Sequence, residues 1–333
     1  MLTETNYRDI NMLDRTVHVA PMMDLTDRHC RYFLRQVCSR ARLYTEMITS
    51  GALIHGDLER HLAFDPAEHP LGLQLGGSDP EDLARCAKLG ADYGYDEINL
   101  NIGCPSERVQ KGAFGACLMA EPALVAQCVS TIRREVGIPV TVKHRTGVDA
   151  IEDYAFLRNF VATVAAAGCR TFIVHARNAI LKGLSPKENR EVPPLKYAYV
   201  YRLKQDFPRL EIVINGGITS LKQIEEHLAH VDGVMLGRAA YHHPWLLADA
   251  GKTRADVVRR MAAYAKTVAS LRQVTRHMLG LYHGHPRARL WRRMLSDCAA
   301  LKRNDPDLLL EALEAVEALE TRDTPHFRAE IEV

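Results

Sequence analysis

Nowhere in the chain does an apolar run approach the roughly 20 residues needed to cross a bilayer. Its first sixteen residues, MLTETNYRDINMLDRT, are polar and mixed in charge, which is not the pattern of a secretory signal. These two absences lead to the expectation of a cytoplasmic protein with no membrane attachment. C-x-x-C pairs and Cys/His zinc spacings are missing as well. The eight cysteines (30, 38, 86, 104, 117, 128, 169 and 298) therefore read as free thiols of a reducing compartment, and no metal is expected. Repeats and low-complexity stretches are also lacking, so 333 residues of ordinary composition must be held by a packed core.

What is present is a regular alternation. Short apolar, β-branched runs fall at 17–22, 43–48, 71–76, 97–102, 139–144, 171–176, 211–216 and 233–238. Helix-like stretches lie between them, opened by Asp79-Pro80 and Glu121-Pro122 and expected to stop at Gly90, Gly137 and Gly168. The runs lack a clean polar alternation, as befits parallel strands covered on both faces. Eight such units predict a TIM barrel. A doubly wound open sheet is the alternative, but no glycine-rich dinucleotide fingerprint follows the first run. Residues 254–280, 287–302 and 306–320 then read as helices. The expected organisation is a barrel domain over 1–250 and a small C-terminal α-helical domain over 251–333.

The net charge of +2 conceals an asymmetry. Lys252 to Arg303 holds thirteen Lys/Arg against Asp256 and Asp297, whereas 304–333 holds nine acids against Arg322 and Arg328. A basic block before an acidic one predicts a polyanion-binding face followed by a solvated helical tail.

In a TIM barrel the chemistry sits at the C-terminal ends of the strands. Here those ends carry Pro21-Met22-Met23, Gln74, Asn101 and Cys104, Lys143-His144-Arg145, His175, Asn215-Gly216-Gly217 and Gly237-Arg238. Buried polar groups at nearly every end would be costly without a partner. The seventh and eighth ends, NGG and GR, suit a phosphate: close backbone approach from one and a guanidinium fork from the other. Gln74 and Lys143 suit the polar edge of an isoalloxazine or uracil ring. His175 reads equally as a core histidine or a ligand. With one phosphate cradle in view, flavin mononucleotide (FMN) fits better than a nicotinamide dinucleotide. Cys104, between Gly103 and Pro105, falls on a turn where regular structure stops, not inside a strand where a packing cysteine belongs.

Taken together, VAPMMDLTDRHCRYFLR, YTEMIT, LQLGGSDP, YDEINLNIGCPS, VTVKHRTG, VINGGI and GVMLGRAAY resemble the tRNA-dihydrouridine synthases. The likeness continues through RHMLGLYHG and RLWRRMLS, and GLSPKENREVPPL (183–195) is similar to the subgroup that acts on uridines 20 and 20a. The resemblance implies reduction of uridine in the tRNA D-loop, with a hydride from reduced FMN to C6, a proton from Cys104 to C5, and NADPH as reductant. It implies FMN contacts from Pro21, Met22, Met23, Gln74, Lys143, His175, Asn215, Gly216, Gly217, Gly237 and Arg238. Asn101 would meet the base; Arg145, Lys187, Arg190, Arg293 and Ser296 would contact tRNA. His144 stands where that subgroup leads one to expect a smaller residue, which leaves its effect on the flavin open. The glycine-rich loop 110–119 reads as a mobile lid. The enzyme is expected to act as a monomer without an obligate protein partner.

Two other readings start from the same residues. One is an FMN barrel acting on a free pyrimidine, resembling the dihydroorotate or dihydropyrimidine dehydrogenases. The other is an RNA-binding barrel that has lost its chemistry. The basic helical block argues against the first, and the filled cofactor positions against the second.

Overall fold

The computed structural model describes residues 17–151 and 153–317; the N-terminal segment read for a signal and the end of the acidic tail lie outside them. The strands are β1 (Val17–Val19), β2 (Leu43–Tyr44), β3 (Ile48–Thr49), β4 (Leu71–Gly76), β5 (Glu97–Ile102), β6 (Val140–His144), β7 (Thr171–His175), β8 (Glu211–Asn215) and β9 (Gly233–Leu236). They run parallel in the order β1-β9-β8-β7-β6-β5-β4-β2, with β3 also on β4. Arg42 closes the ring: its N–H donates to Val17 O, and its carbonyl accepts from Val19 N–H. This is the TIM barrel predicted from the alternation.

The second stave differs from expectation by being broken. Both β2 and β3 pair with β4, but between them the Thr45 hydroxyl accepts the Gln74 N–H, so a side chain replaces a rung and the backbone bulges. A second difference concerns Gly90, which lies inside the helix Pro80–Tyr93 rather than at its end. A Cβ there would stand 2.5 Å from Leu73 Cδ2, so glycine serves close helix–sheet packing. The helix stops at Gly94, in the left-handed conformation at φ +100.

Successive strand residues face opposite ways. Outward, Leu73, Ile98, Leu100, Val142, Phe172 and Val174 join the core under the helices. Inward, the barrel has two characters. Ala20, Tyr44, Ile173, Val213 and Met235 form an apolar cluster with Met22 against it. Across β4 to β6 the interior is polar instead: Gln74, Glu97, Asn99 and Thr141, each essentially without exposure.

His144 belongs to the outward set. Its ring packs against Phe160 and Phe172, its Nδ1 is 2.7 Å from Arg145 O, and its Nε2 is buried without a partner. It therefore does not line the barrel mouth, which answers what this larger residue does there.

After the barrel, helices Arg254–Ala265, Leu271–Met278, Ala288–Ser296, Cys298–Lys302 and Leu308–Glu317 form the C-terminal bundle. The stretches read as three helices are broken where Asn304 binds the backbone of Ala269 and Leu271, and where Asp297 caps a new helix. The acidic segment is no free tail as far as Glu317: Leu308, Leu309, Ala312, Leu313 and Val316 are buried, with Glu311 and Glu314 left outside. The bundle seats on helix Arg28–Val37. Tyr264 stacks on Tyr32 at 3.9 Å between ring centroids and bonds His29 Nδ1 at 2.8 Å, and His277 Nε2 lies 3.0 Å from the Asp27 carboxylate. Among the described residues no helix is long and apolar enough to cross a membrane.

Burial pushes the His144 ring down from 6.5 to about 4, against the opposing pull of the Arg145 carbonyl. Between those values the unfolded chain binds a proton that the folded chain refuses, so stability falls as pH drops, by about 3 kcal/mol across the window. His144→Phe fits between two phenylalanines and removes the titration. Urea unfolding at about pH 7 and about pH 4.5 should show wild type losing about 2–3 kcal/mol more than the variant. Equal losses would show that His144 does not carry this linkage.

Candidate active site

The polar wall is a consequence of strand register. Gln74 of β4 stands opposite Asn99 of β5, which stands opposite Thr141 of β6; one step nearer the mouth, Asn101 stands opposite Lys143. Adjacent inward side chains therefore touch. Asn101 Nδ2 donates to Gln74 Oε1 at 2.8 Å, and Gln74 Nε2 donates to Asn99 Oδ1 at 2.7 Å. Asn99 Nδ2 donates to Thr141 Oγ1 at 2.8 Å, and the Thr141 hydroxyl donates to Glu97 Oε1 at 2.5 Å. Glu97 Oε2 is paired with Arg42 Nη1 at 2.5 Å.

At its upper end this chain reaches Cys104. Asn101 Oδ1 accepts the N–H groups of Gly103 and Cys104 at 3.1 and 2.9 Å, forming the turn that leaves β5. Arg145 Nε donates to Gly103 O, and Ala116 N–H donates to Cys104 O at 3.0 Å. The turn is thus held from three sides, and Cys104 is left part-exposed with its Sγ 3.5 Å from Ser106 Oγ. All eight cysteines are unpaired thiols, and among the described residues no group of three or more His/Cys/Asp/Glu could hold a metal.

The loop read as a mobile lid is anchored where it passes Cys104. Gly115, Ala116, Leu118 and Met119 are buried, and Gln110 Nε2 bridges Pro105 O and Leu181 O at 2.8 and 2.9 Å. Beside it a cavity of ≈ 360 Å³ opens at the ends of β3 and β4, lined among others by Thr49, Ser50, Gly76, Gly77 and Phe114.

Next to Asn101, from β6 onward around the mouth, several of the side chains are cationic. Lys143 Nζ has no hydrogen bond or ion pair within the described residues, and burial together with Arg145 and Arg190 pushes it down to about 7. Burial, with the same cations and Arg177 around it, holds His175 well below the usual imidazole range, so it is neutral. Asn215 Nδ2 donates to Met235 O at 2.7 Å. Gly216 and Gly217 follow at φ +112 and +75, and a Cβ on Gly216 would stand 2.7 Å from the His175 ring. At Gly237 a Cβ would meet only Ala20 and Met22, at 3.9 Å, leaving space at the mouth. Arg238 is half exposed and paired with Glu191 at 2.5 Å, so an anion at this end would share or displace that carboxylate. Pro21 and Met22 are half-buried at the end of β1, and Met23 is exposed.

Arg145 requires a correction. It was expected to contact tRNA, but it is 4% exposed and donates to the carbonyls of Gly103, Asn178 and Asn189. It works as a clamp behind the rim. The segment 183–195 is organised by the buried Asn189, whose amide exchanges hydrogen bonds with Ile180 and also donates to Leu184 O and Ser185 O. Lys187 and Arg190 are thereby left exposed beside the mouth. Arg293 and Ser296 are exposed on the bundle, and the Ser296 hydroxyl returns to Arg292 O of its own helix.

Sequence reasoning passed over Glu97, Asn99, Thr141 and Asn189. For the first two a signal existed: 97, 99 and 101 share parity on one strand, so an inward Asn101 implied inward Asn99 and Glu97. Nothing local marked Thr141 or Asn189.

Comparison with known proteins identifies the family. A family profile described as dihydrouridine synthase (Dus) matches residues 18–319. A tRNA-dihydrouridine(20/20a) synthase of Synechocystis is 57% identical over 311 residues, covering 89% of this chain and 93% of that protein. Proteins of the same name from Shewanella oneidensis and Salmonella typhimurium are 54% and 56% identical, each covering 90% of this chain and 93% and 94% of their own lengths. Among solved structures, a 2-naphthoyl-CoA reductase complex matches with a TM-score of 0.52 at 10% identity, over 70% of this chain and 49% of that one, a likeness of fold alone.

The Gly216 geometry can be tested directly. Gly216→Ala places a Cβ against His175 in a backbone conformation that L-residues avoid, and should cost about 1–3 kcal/mol of stability by chemical denaturation. An unchanged midpoint would show that this turn tolerates a side chain.

Proposed function

Because the chain belongs to the dihydrouridine synthase family, we propose that it reduces uridine to dihydrouridine at positions 20 and 20a of tRNA. The observation that supports this most is Cys104: a half-exposed thiol at the C-terminal end of a barrel strand, fixed by Asn101 and facing a cationic mouth.

Saturating the uracil C5–C6 bond needs a proton on one carbon and a hydride on the other. Cys104 Sγ would supply the proton to C5, from its place on the turn at the barrel mouth. Asn101 spends its oxygen on the turn and one N–H on Gln74, which leaves its second N–H for a base edge. FMN, reduced by NADPH, would supply the hydride. The site suits such a group on its own evidence: an unpaired Lys143 among like charges calls for an electron-rich or anionic guest, and Gly237 leaves room at the mouth. Gln74, Lys143, His175 and Asn215 would hold the ring side, with Pro21, Met22 and Met23 beside it. Gly216, Gly217, Gly237 and Arg238 would take the phosphate end.

The target base must leave the tRNA stack to reach a barrel mouth. Lys187 and Arg190 by the mouth, with Arg293, Ser296 and the basic bundle, would hold the RNA backbone and set its register. Arg145 contributes indirectly, by fixing the Cys104 turn.

Position-by-position mapping of dihydrouridine, in tRNA from a deletion strain complemented with this protein, tests the reading. Dihydrouridine should return at 20 and 20a and nowhere else; its absence there would overturn the assignment. Cys104→Ala should keep FMN and tRNA binding while lowering the rate by at least about a hundredfold. Full turnover would place the acid elsewhere. The Lys143 ammonium is lost as pH rises through about 7 in the free protein. FMN affinity should therefore fall above that pH, by up to about tenfold per unit, and Lys143→Met should flatten the dependence. The same slope in both proteins would remove Lys143 from the site.

A further inference from the structure

The hydrogen bonds that run from the Cys104 turn down to Glu97 all point one way. At the top the donors are the backbone N–H groups of Gly103 and Cys104, which cannot be turned round, so Asn101 must present its oxygen to them. Its Nδ2 must then face Gln74, which answers with Oε1 and turns its own Nε2 toward Asn99. Asn99 answers with Oδ1, and its Nδ2 faces Thr141. Thr141, already accepting, must donate onward to Glu97. At the bottom the same polarity is imposed independently, because a carboxylate paired with the Arg42 guanidinium can only accept. One reversed amide anywhere would set N–H against N–H where bulk solvent does not reach; Gln74, Asn99, Thr141 and Glu97 are all 2% exposed or less.

We propose that Glu97, Asn99 and Thr141 are positioning residues for Cys104. From the closed end of the barrel they fix the amide orientation of Gln74 and Asn101 and, through Asn101, the turn that carries the thiol. None of the three touches the mouth. Their effect is on direction: they decide which face of each amide looks up, so that Gln74 and Asn101 present one donor and acceptor pattern instead of a mixture.

The inference rests on Cys104 as the proton donor, and the test separates the two. Thr141→Val keeps the shape and deletes the hydroxyl, cutting the chain between Asn99 and Glu97; Thr141→Ser retains it. Two quantities are measured on the full-length purified protein: single-turnover dihydrouridine formation with KM for tRNA, and the rate of iodoacetamide alkylation of Cys104 by peptide mass spectrometry. The exposed Cys298 serves as internal reference. Thr141→Val should slow the single turnover about tenfold with KM within about twofold, while Thr141→Ser stays near wild type. Cys104 alkylation should change by about threefold or more, with Cys298 unaltered. Alkylation reads the turn whether or not Cys104 donates the proton, so a changed thiol rate with an unchanged turnover would sink the proton-donor reading and spare the positioning chain. An unaltered Cys104 alkylation rate, a parallel change at Cys298, or equal losses in both Thr141 variants would overturn the proposal. If Thr141→Val does not fold, Asn99→Leu cuts the chain one link higher and must give the same split; wild-type behaviour there overturns it equally.

Discussion

Three strands in one register hold this site together. Because β4, β5 and β6 are parallel and aligned so that Gln74, Asn99 and Thr141 stand side by side, amide meets amide meets hydroxyl across the barrel interior. A shift of one residue between any two of these strands would turn one set outward into the helix layer and bring apolar side chains in. The polar wall, the Asn101 turn and the presentation of Cys104 would go with it. The register is enforced from the other face, where Leu73, Ile98, Leu100 and Val142 must stay under the helices.

The division of the barrel interior follows from the same closure. On one side Ala20, Tyr44, Ile173, Val213 and Met235 make an apolar plug; on the other an unbroken chain of hydrogen bonds satisfies every buried polar group it contains. The plug gives a solid floor, and the polar wall carries order from that floor to the rim. Above both, Lys143, Arg145, Arg177, Arg190 and Arg238 crowd together with Glu191 as the acid among them. Crowding like charge at a half-buried mouth is unfavourable without a guest, and this cost supports the proposal of a phosphate-bearing, electron-rich ligand and of RNA at the mouth.

Much of this was legible in the chain, and the exceptions have definite causes. The barrel followed from eight apolar runs with helices between them, and the candidate site was read from polar residues at the ends of those runs. Gly90 was misjudged as a helix stop because a glycine needed for close packing and one needed for a left-handed cap look alike until the sheet is in place; Gly94 is the cap. Arg145 was expected to contact tRNA from the resemblance alone, whereas its three carbonyl partners come from residues 103, 178 and 189 and are not visible locally in the chain. His144 faces outward because it follows Lys143 on one strand, a matter of parity that could have been counted.

The sequence by itself determined what is local. Period and turn residues set the strands and their order, Gly103 and Pro105 ended β5 at Cys104, and the motif set identified the family. The tertiary structure alone decided which residues stand behind the candidate site. Thr141 and Arg42 lie 37 and 62 residues from Cys104 in the chain, and only closure of the barrel puts them on the path to it. The physical reason is that hydrogen-bond polarity is passed between neighbours in space, and in a parallel barrel those neighbours are always on different strands.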